Sequence, residues 1–345
     1  MASVLAVLAA TVVFDAFTSP VPGRSPAPVA GSPAGLTGTL VWAEGDGHGR
    51  ARLSSWDLAT GGFRQGPMIG EPDALVDAST IGRGALGVIS AMPDGSSRAT
   101  LYRGLASGQP AEPLIRGAVV SWQSGATHVI AVRSAQARDT CAQRSSILSL
   151  DLISGTRTHE LDVCGAVPAI ARAGATTFFT HRSAGRARID YVGFHRVHTV
   201  LEGYRLLGVS FASDLIVTKP GSQGVGLFWQ GNLGAPEPFS VAAVPLRVDR
   251  VLAWSPDASI ALVQGALGAR SGVWALHLGA GPEGVPREPV LVTQTDGAAW
   301  ATYALDGTAF ILTRGQVRAY DGDGLRSLEP PPGAPTPSGP VVWLP

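Results

Sequence analysis

Apolar and polar positions alternate in short runs along this chain, and the runs recur. Seven can serve as inner strands. They begin near Leu40 (LVWAE), Leu86 (LGVISA), Val129 (VIAVR), Thr177 (TFFTHR), Leu215 (LIVTK), Ile260 (IALVQG) and Phe310 (FILTR). Their starts lie roughly 40 to 50 residues apart, the period of a four-stranded unit in a repeat protein. A short continuous apolar run is the mark of a strand buried on both faces. The clearest copy is VLAWSPDASIALVQG, Val251 to Gly265. In its middle, Ser255-Pro256-Asp257-Ala258 has turn chemistry, since Pro presets φ and Asp bonds its own backbone two residues on. Trp122, Ile170, Phe211, Trp254 and Tyr303 lead equivalent runs, and Trp343 stands in the last segment. The copy at Ala78 to Gly84 lacks the ring. A third element repeats in WDLATGG (Trp56 to Gly62), LASG (Leu105 to Gly108), LDLISG (Leu150 to Gly155) and AYDGDG (Ala319 to Gly324). Each reads as a Gly-closed hairpin. No stretch after residue 35 keeps a helical period over three turns, so the chain reads as all-β.

A W-S-P-D-G-type turn, then an apolar strand, then a hairpin near D-L-x-x-G, resembles the TolB-like and WD-repeat β-propellers. Trp254-Ser255-Pro256-Asp257-Ala258 carries Ala where Gly is usual, and Asp306-Gly307 keeps the Asp-Gly pair. The resemblance covers residues 37–345; the seven runs predict a seven-bladed β-propeller there, with six blades as the alternative if the weak first or fourth copy is not a full blade. The rings would end outer strands and fill gaps between wedge-shaped blades. The turn after each ring would then carry the chain to the inner strand of the next blade. The last blade, drawn wholly from the C-terminal part, would pack on the first without exchanging a strand. The resemblance implies a protein-binding or scaffold module outside the cytoplasm. Propellers host unrelated activities on one scaffold, so an enzyme, a lyase or glycosidase at the channel mouth, is the second reading. A structural or adhesion ring is the third.

The N-terminus bears on location. Ala2 to Phe14 is almost wholly apolar before Asp15. That falls short of the ~20 residues a spanning helix prefers, and it fits a signal peptide. Residues 1–17 read as a signal peptide or membrane anchor, although no Lys or Arg precedes the run and no small-x-small site follows it. A buried first strand or helix is the alternative. Residues 18–36, rich in Pro, Ala and Ser, read as an extended linker. Lys plus Arg and Asp plus Glu each number 26, for a net charge of zero. No basic excess is present to neutralise phosphates, so nucleic acid is not expected as a partner. The expected partner is another envelope or extracellular protein, and the chain itself a monomer. Cys141 and Cys164 are the two cysteines. With no further Cys pair or His set beside them, they read as a disulfide within the third blade and not as a metal site. A disulfide needs an oxidising compartment, which agrees with an exported protein that is extracellular, periplasmic or membrane-anchored facing outside.

Other motifs change little. Gly279 to Gly284 matches G-x-G-x-x-G, but VPREP follows and cannot open the helix a dinucleotide site needs. His195 and His198 at i and i+3 of a strand point to opposite faces. Asp321 and Asp323 lack the further carboxylates of a calcium loop and read as a turn. No G-x-S-x-G elbow occurs. No catalytic, metal or cofactor-binding residue is assigned, and no cofactor is expected. Gln123, Arg172, Asp214, Asp257 and Asp306 occupy equivalent turns and are expected to line one face of the ring as a possible partner face. The tryptophans are read as packing between blades.

Overall fold

Val, Ile, Leu and Phe runs bounded by Gly, Pro, Asp and Ser favour short strands joined by tight turns. The computed structural model describes residues 35–45, 51–70, 75–81, 85–105, 111–124, 127–135, 141, 143–183, 186–193, 196–228, 242–278 and 287–345. The proposed signal or anchor segment, most of the linker, the glycine motif at 279–284 and His195 lie outside them. Among the described residues no helix is long and apolar enough to cross a membrane.

Strands β1 (Thr39–Gly45), β2 (Ala51–Asp57) and β3 (Phe63–Gly70) open the fold. Next come β4 (Leu75–Ile81), β5 (Ala85–Ala91), β6 (Ser97–Tyr102) and β7 (Glu112–Gly117). Then follow β8 (Val119–Ser124), β9 (His128–Ala135), β10 (Arg144–Asp151) and β11 (Arg157–Cys164), and after them β12 (Ala169–Ala173), β13 (Thr176–Ser183), β14 (Arg186–Gly193) and β15 (Arg196–Glu202). The next group is β16 (Arg205–Val209), β17 (Leu215–Thr218), β18 (Val225–Phe228) and β19 (Ala242–Val244). The chain continues with β20 (Arg247–Trp254), β21 (Ile260–Leu267), β22 (Arg270–His277) and β23 (Val290–Gln294). It ends with β24 (Ala299–Tyr303), β25 (Ala309–Thr313), β26 (Gln316–Tyr320), β27 (Leu325–Leu328) and β28 (Val341–Leu344). Consecutive strands within each group pair antiparallel, and the sheets make an all-β propeller.

The expected blade count is corrected. Hydrogen bonding gives five four-stranded blades, not seven or six, and the remaining strands form one eight-stranded sheet, β11-β10-β9-β8-β12-β13-β14-β15. The join is parallel and short: Arg172 stands opposite Gln123, and Ala173 opposite Ser124. Small residues, Ala171, Ala173 and Gly174, let the two strands meet there. The Gln123 side-chain amide seals the join by donating to the Gly174 carbonyl at 3.0 Å.

Ring closure is corrected as well. β28 leaves the last sheet and pairs antiparallel with β1, with Leu344 opposite Thr39 and Val341 opposite Trp42. All four of its residues are buried. Threonines on both sides hold its backbone: Thr80 Oγ1 donates to the Trp343 carbonyl (2.7 Å), and Thr302 Oγ1 accepts from the Trp343 N–H (3.2 Å).

The inner and outer assignments also shift by one strand. Strands β28, β4, β8, β12, β16, β20 and β24 adjoin one another and form the hub. The seven apolar runs are the second strands, buried from both sides, as in β25 and β17. The hub strands β20 and β24 are half-exposed toward the channel, whereas β28 is wholly buried. The Ser255 turn therefore joins two neighbours of one blade, with Trp254 opposite Ala261. The rings still fill gaps between sheets. A Cβ on Gly87 would lie 2.6 Å from the Trp122 ring, and one on Gly208 would lie 3.0 Å from the Trp254 ring.

Candidate functional site

Among the described residues, β12, β16, β20 and β24 each end in a turn at the same end of the ring, and the third-to-fourth-strand turns at 58–62, 152–156 and 321–324 share that end. Three of the hub turns are built alike. The Ser255 N–H bonds to the Ile260 carbonyl, and the Ala258 N–H to the Ser255 carbonyl. Ser210, Ser213 and Asp214 repeat this pattern, as do Ala304, Gly307 and Thr308. The residue after each turn start points outward: Phe211 is 45% exposed and Leu305 73%, with Pro256 exposed between them.

The structure places Gln123, Arg172, Asp214, Asp257 and Asp306 at this end of the hub strands. Their roles there differ. Gln123 is buried in the sheet join and also accepts from Thr127 Oγ1 at 2.9 Å. Arg172 is spent on an ion pair with Glu160, both side chains 11% exposed, and on the Gly174 carbonyl. The Asp214 carboxyl is raised by burial, and Ser210 Oγ donates to it at 3.3 Å. Only Asp257 and Asp306 meet at one cleft.

That cleft, of about 290 Å³, opens between the β20–β21 turn and the last four-stranded blade. Tyr303 pairs with Ala309 across β24 and β25, and Ala309 with Tyr320 across β25 and β26. Both tyrosines thus stand on one face, with only a methyl group between them. Ile260 lies against them, and Asp257, Asp306 and Asp321 form the rim. The Asp257 carboxyl is held down at about 2, first by Ser255 Oγ and then by the N–H and hydroxyl of Ser259. The N–H of Thr308 donates to Asp306 Oδ1 at 2.9 Å. Asp321 accepts the N–H groups of Gly324 (2.9 Å) and Asp323 (3.1 Å), which lower its carboxyl. Burial raises the Tyr303 phenol, and its hydroxyl oxygen is buried with no hydrogen-bond partner. Sequence reasoning found Tyr303 as a packing ring and Asp321 as a turn residue. It missed Tyr320, whose place depends on pairing through Ala309.

A second feature lies in the channel. Arg250 of β20 rests over the Trp300 ring, 4.2 Å from its centroid, and donates to Gln264 Oε1 and the Ala299 carbonyl. Asp77 of β4 feels its charge across the ring. The Asp77 side chain meets channel solvent, yet protein crowds it from the surrounding hub, and burial pushes its carboxyl up to about 6.

The disulfide joins Cys141, just before β10, to Cys164, the last residue of β11, with Cα atoms 5.6 Å apart. Arg144 and Cys164 are register partners, which brings the preceding loop to this edge. Among the described residues, no three His, Cys, Asp or Glu side chains converge into a group that could hold a metal ion.

No family model matches the chain, and no curated protein matches it. Solved structures do. The β-propeller domain of the Trilobed protease from Pyrococcus furiosus aligns at TM-score 0.56 and 10% identity, covering 87% of this chain and 97% of that one. A putative 6-phosphogluconolactonase from Bacteroides fragilis aligns at TM-score 0.56 and 9% identity, covering 95% and 100%. TolB from Acinetobacter baumannii aligns at TM-score 0.48 and 13% identity, covering 89% and 82%. The likeness is one of fold alone. It does differ in one respect: the Pyrococcus domain is described as having an open velcro topology, whereas β28 here closes on β1.

Proposed function

We propose that this chain is an exported binding ring that holds another envelope or extracellular protein against the turn end of its hub. The observation that carries the reading is the cleft between the last two four-stranded groups, flanked by exposed Pro256 and Leu305. Its carboxylates are engaged in holding their own turns. Asp257, held at about 2, stays ionised at neutral pH and is poorly suited to general acid chemistry, which works best with a pKa near the operating pH. This supports partner binding over hydrolysis or elimination at this site. Export is supported by the disulfide, which persists in oxidising compartments. The test is affinity capture from an extract of the producing cell's envelope, with the wild type and with the Asp257→Lys, Asp306→Lys double variant as baits. A partner retained by the first and lost by the second supports the reading. Equal capture by both baits overturns the assignment of this face.

A further inference from the structure

We infer that the Tyr303–Tyr320 cleft is a receptor for a single arginine side chain presented by a partner polypeptide, an inference that rests on the partner-binding role proposed above. At about 290 Å³ it has ample room for one side chain and stands at the foot of the roughly 300–1,000 Å³ range of pockets that take whole small molecules. Its lining is graded. Ile260 and the two phenol rings make an apolar throat, and Asp257, Asp306 and Asp321 crowd the rim. A planar cation at this mouth has ring faces to lie on and rim carboxylates to accept its donors. Lysine suits the mouth less well, because a guanidinium lies flat on an aromatic ring while its fork of donors reaches carboxylates. The same protein shows this contact internally, where Arg250 lies over Trp300. The carboxylates do not need to move to receive the cation. Asp257 is already fixed by Ser255 and Ser259, and Asp306 by Thr308, so little ordering remains to be done on binding.

The experiment titrates the full chain with N-acetyl-arginine methylamide, its citrulline counterpart and its lysine counterpart, read by ligand-observed NMR. Citrulline keeps the shape and removes the charge. Saturable arginine binding is expected, at least tenfold tighter than citrulline and tighter than lysine. Asp306→Asn and Asp257→Asn keep the oxygen that their turns use, and together they should weaken arginine binding at least tenfold. Tyr320→Phe keeps the ring and should bind as the wild type does; Tyr320→Ala should lose binding. Asp323→Asn, outside the cleft, should change nothing. Citrulline binding as tightly as arginine, or a double Asn variant that binds arginine normally, overturns the inference. If the wild type captures a charge-sensitive partner but no arginine ligand binds, the cleft assignment falls and the binding role stands.

Discussion

Ser213, Ala258 and Gly307 occupy the same position in three successive turns, with φ of 70°, 58° and 89°. Only glycine takes that left-handed conformation without a Cβ penalty, which is about 1–2 kcal/mol for other residues. Ser213→Gly should therefore stabilise the protein by about 1 kcal/mol, read as a higher denaturant midpoint with an unchanged slope. Ala258 is a poorer choice, since its methyl group is buried and would be lost. These turns were legible in the sequence because their chemistry is local. Their place in the ring was not. The same turn recurs from Met92 to Ser96, with Gly95 at φ 78°, but there it joins a second strand to a third and lies at the opposite end. Five residues define a turn; the pairing of distant strands decides which face it decorates.

At the level of the element, the seven apolar runs were found because second strands are sandwiched and show continuous hydrophobicity. Hub strands such as β20 and β4 were misassigned because they present one side to the channel. In β20 Arg247, Asp249 and Arg250 interrupt the pattern, and in β4 Val76 and Asp77 are exposed. The cleft was half legible: Asp257 and Asp306 announce themselves in their turns, whereas Tyr320 needs the register through Ala309. The cysteine pairing was legible because only two cysteines exist. Its bond links residues 23 apart in sequence. Closing a loop of that size should be worth about 3 kcal/mol, most of it through the unfolded chain. Cys164→Ser should lower unfolding stability by that amount, and reductant should lower the wild type equally while leaving the variant unchanged. The closing strand is a sharper test of architecture. Deleting residues 341–345 removes β28 and bares the hub edge of β1. The truncated chain should lose its single cooperative unfolding transition in calorimetry, whereas deleting the three exposed turn residues Gly322–Gly324 should keep it.

Across the whole molecule, the turn end of the hub and its channel differ in chemistry. The turn end carries the tyrosine cleft and low-pKa carboxylates, and the channel holds Asp77 facing Arg250. The Asp77 carboxyl lies above its ordinary 3.8, at about 6, with burial as the main cause and Arg250 opposing it. A carboxyl raised in the folded state favours folding fully below pH 4 and loses that contribution as pH rises through 6. Asp77→Asn should match the wild type near pH 4 and be more stable than it above pH 7, as read from thermal midpoints across that range. Channel solvent screens the group, so the gain should be small but its pH profile distinct.

The β28–β1 pairing also orders events in time. β1, β2 and β3 are made before any other described strand, yet their sheet is completed only when β28, the last, emerges. Until then β1 keeps an open row of backbone donors and acceptors on the side that will face the hub, and an unpaired edge invites foreign strands. The blade begun first is the blade finished last. Whatever route the chain takes, the hazard of mispairing lasts until the end of the chain is delivered, and it ends with a four-residue strand.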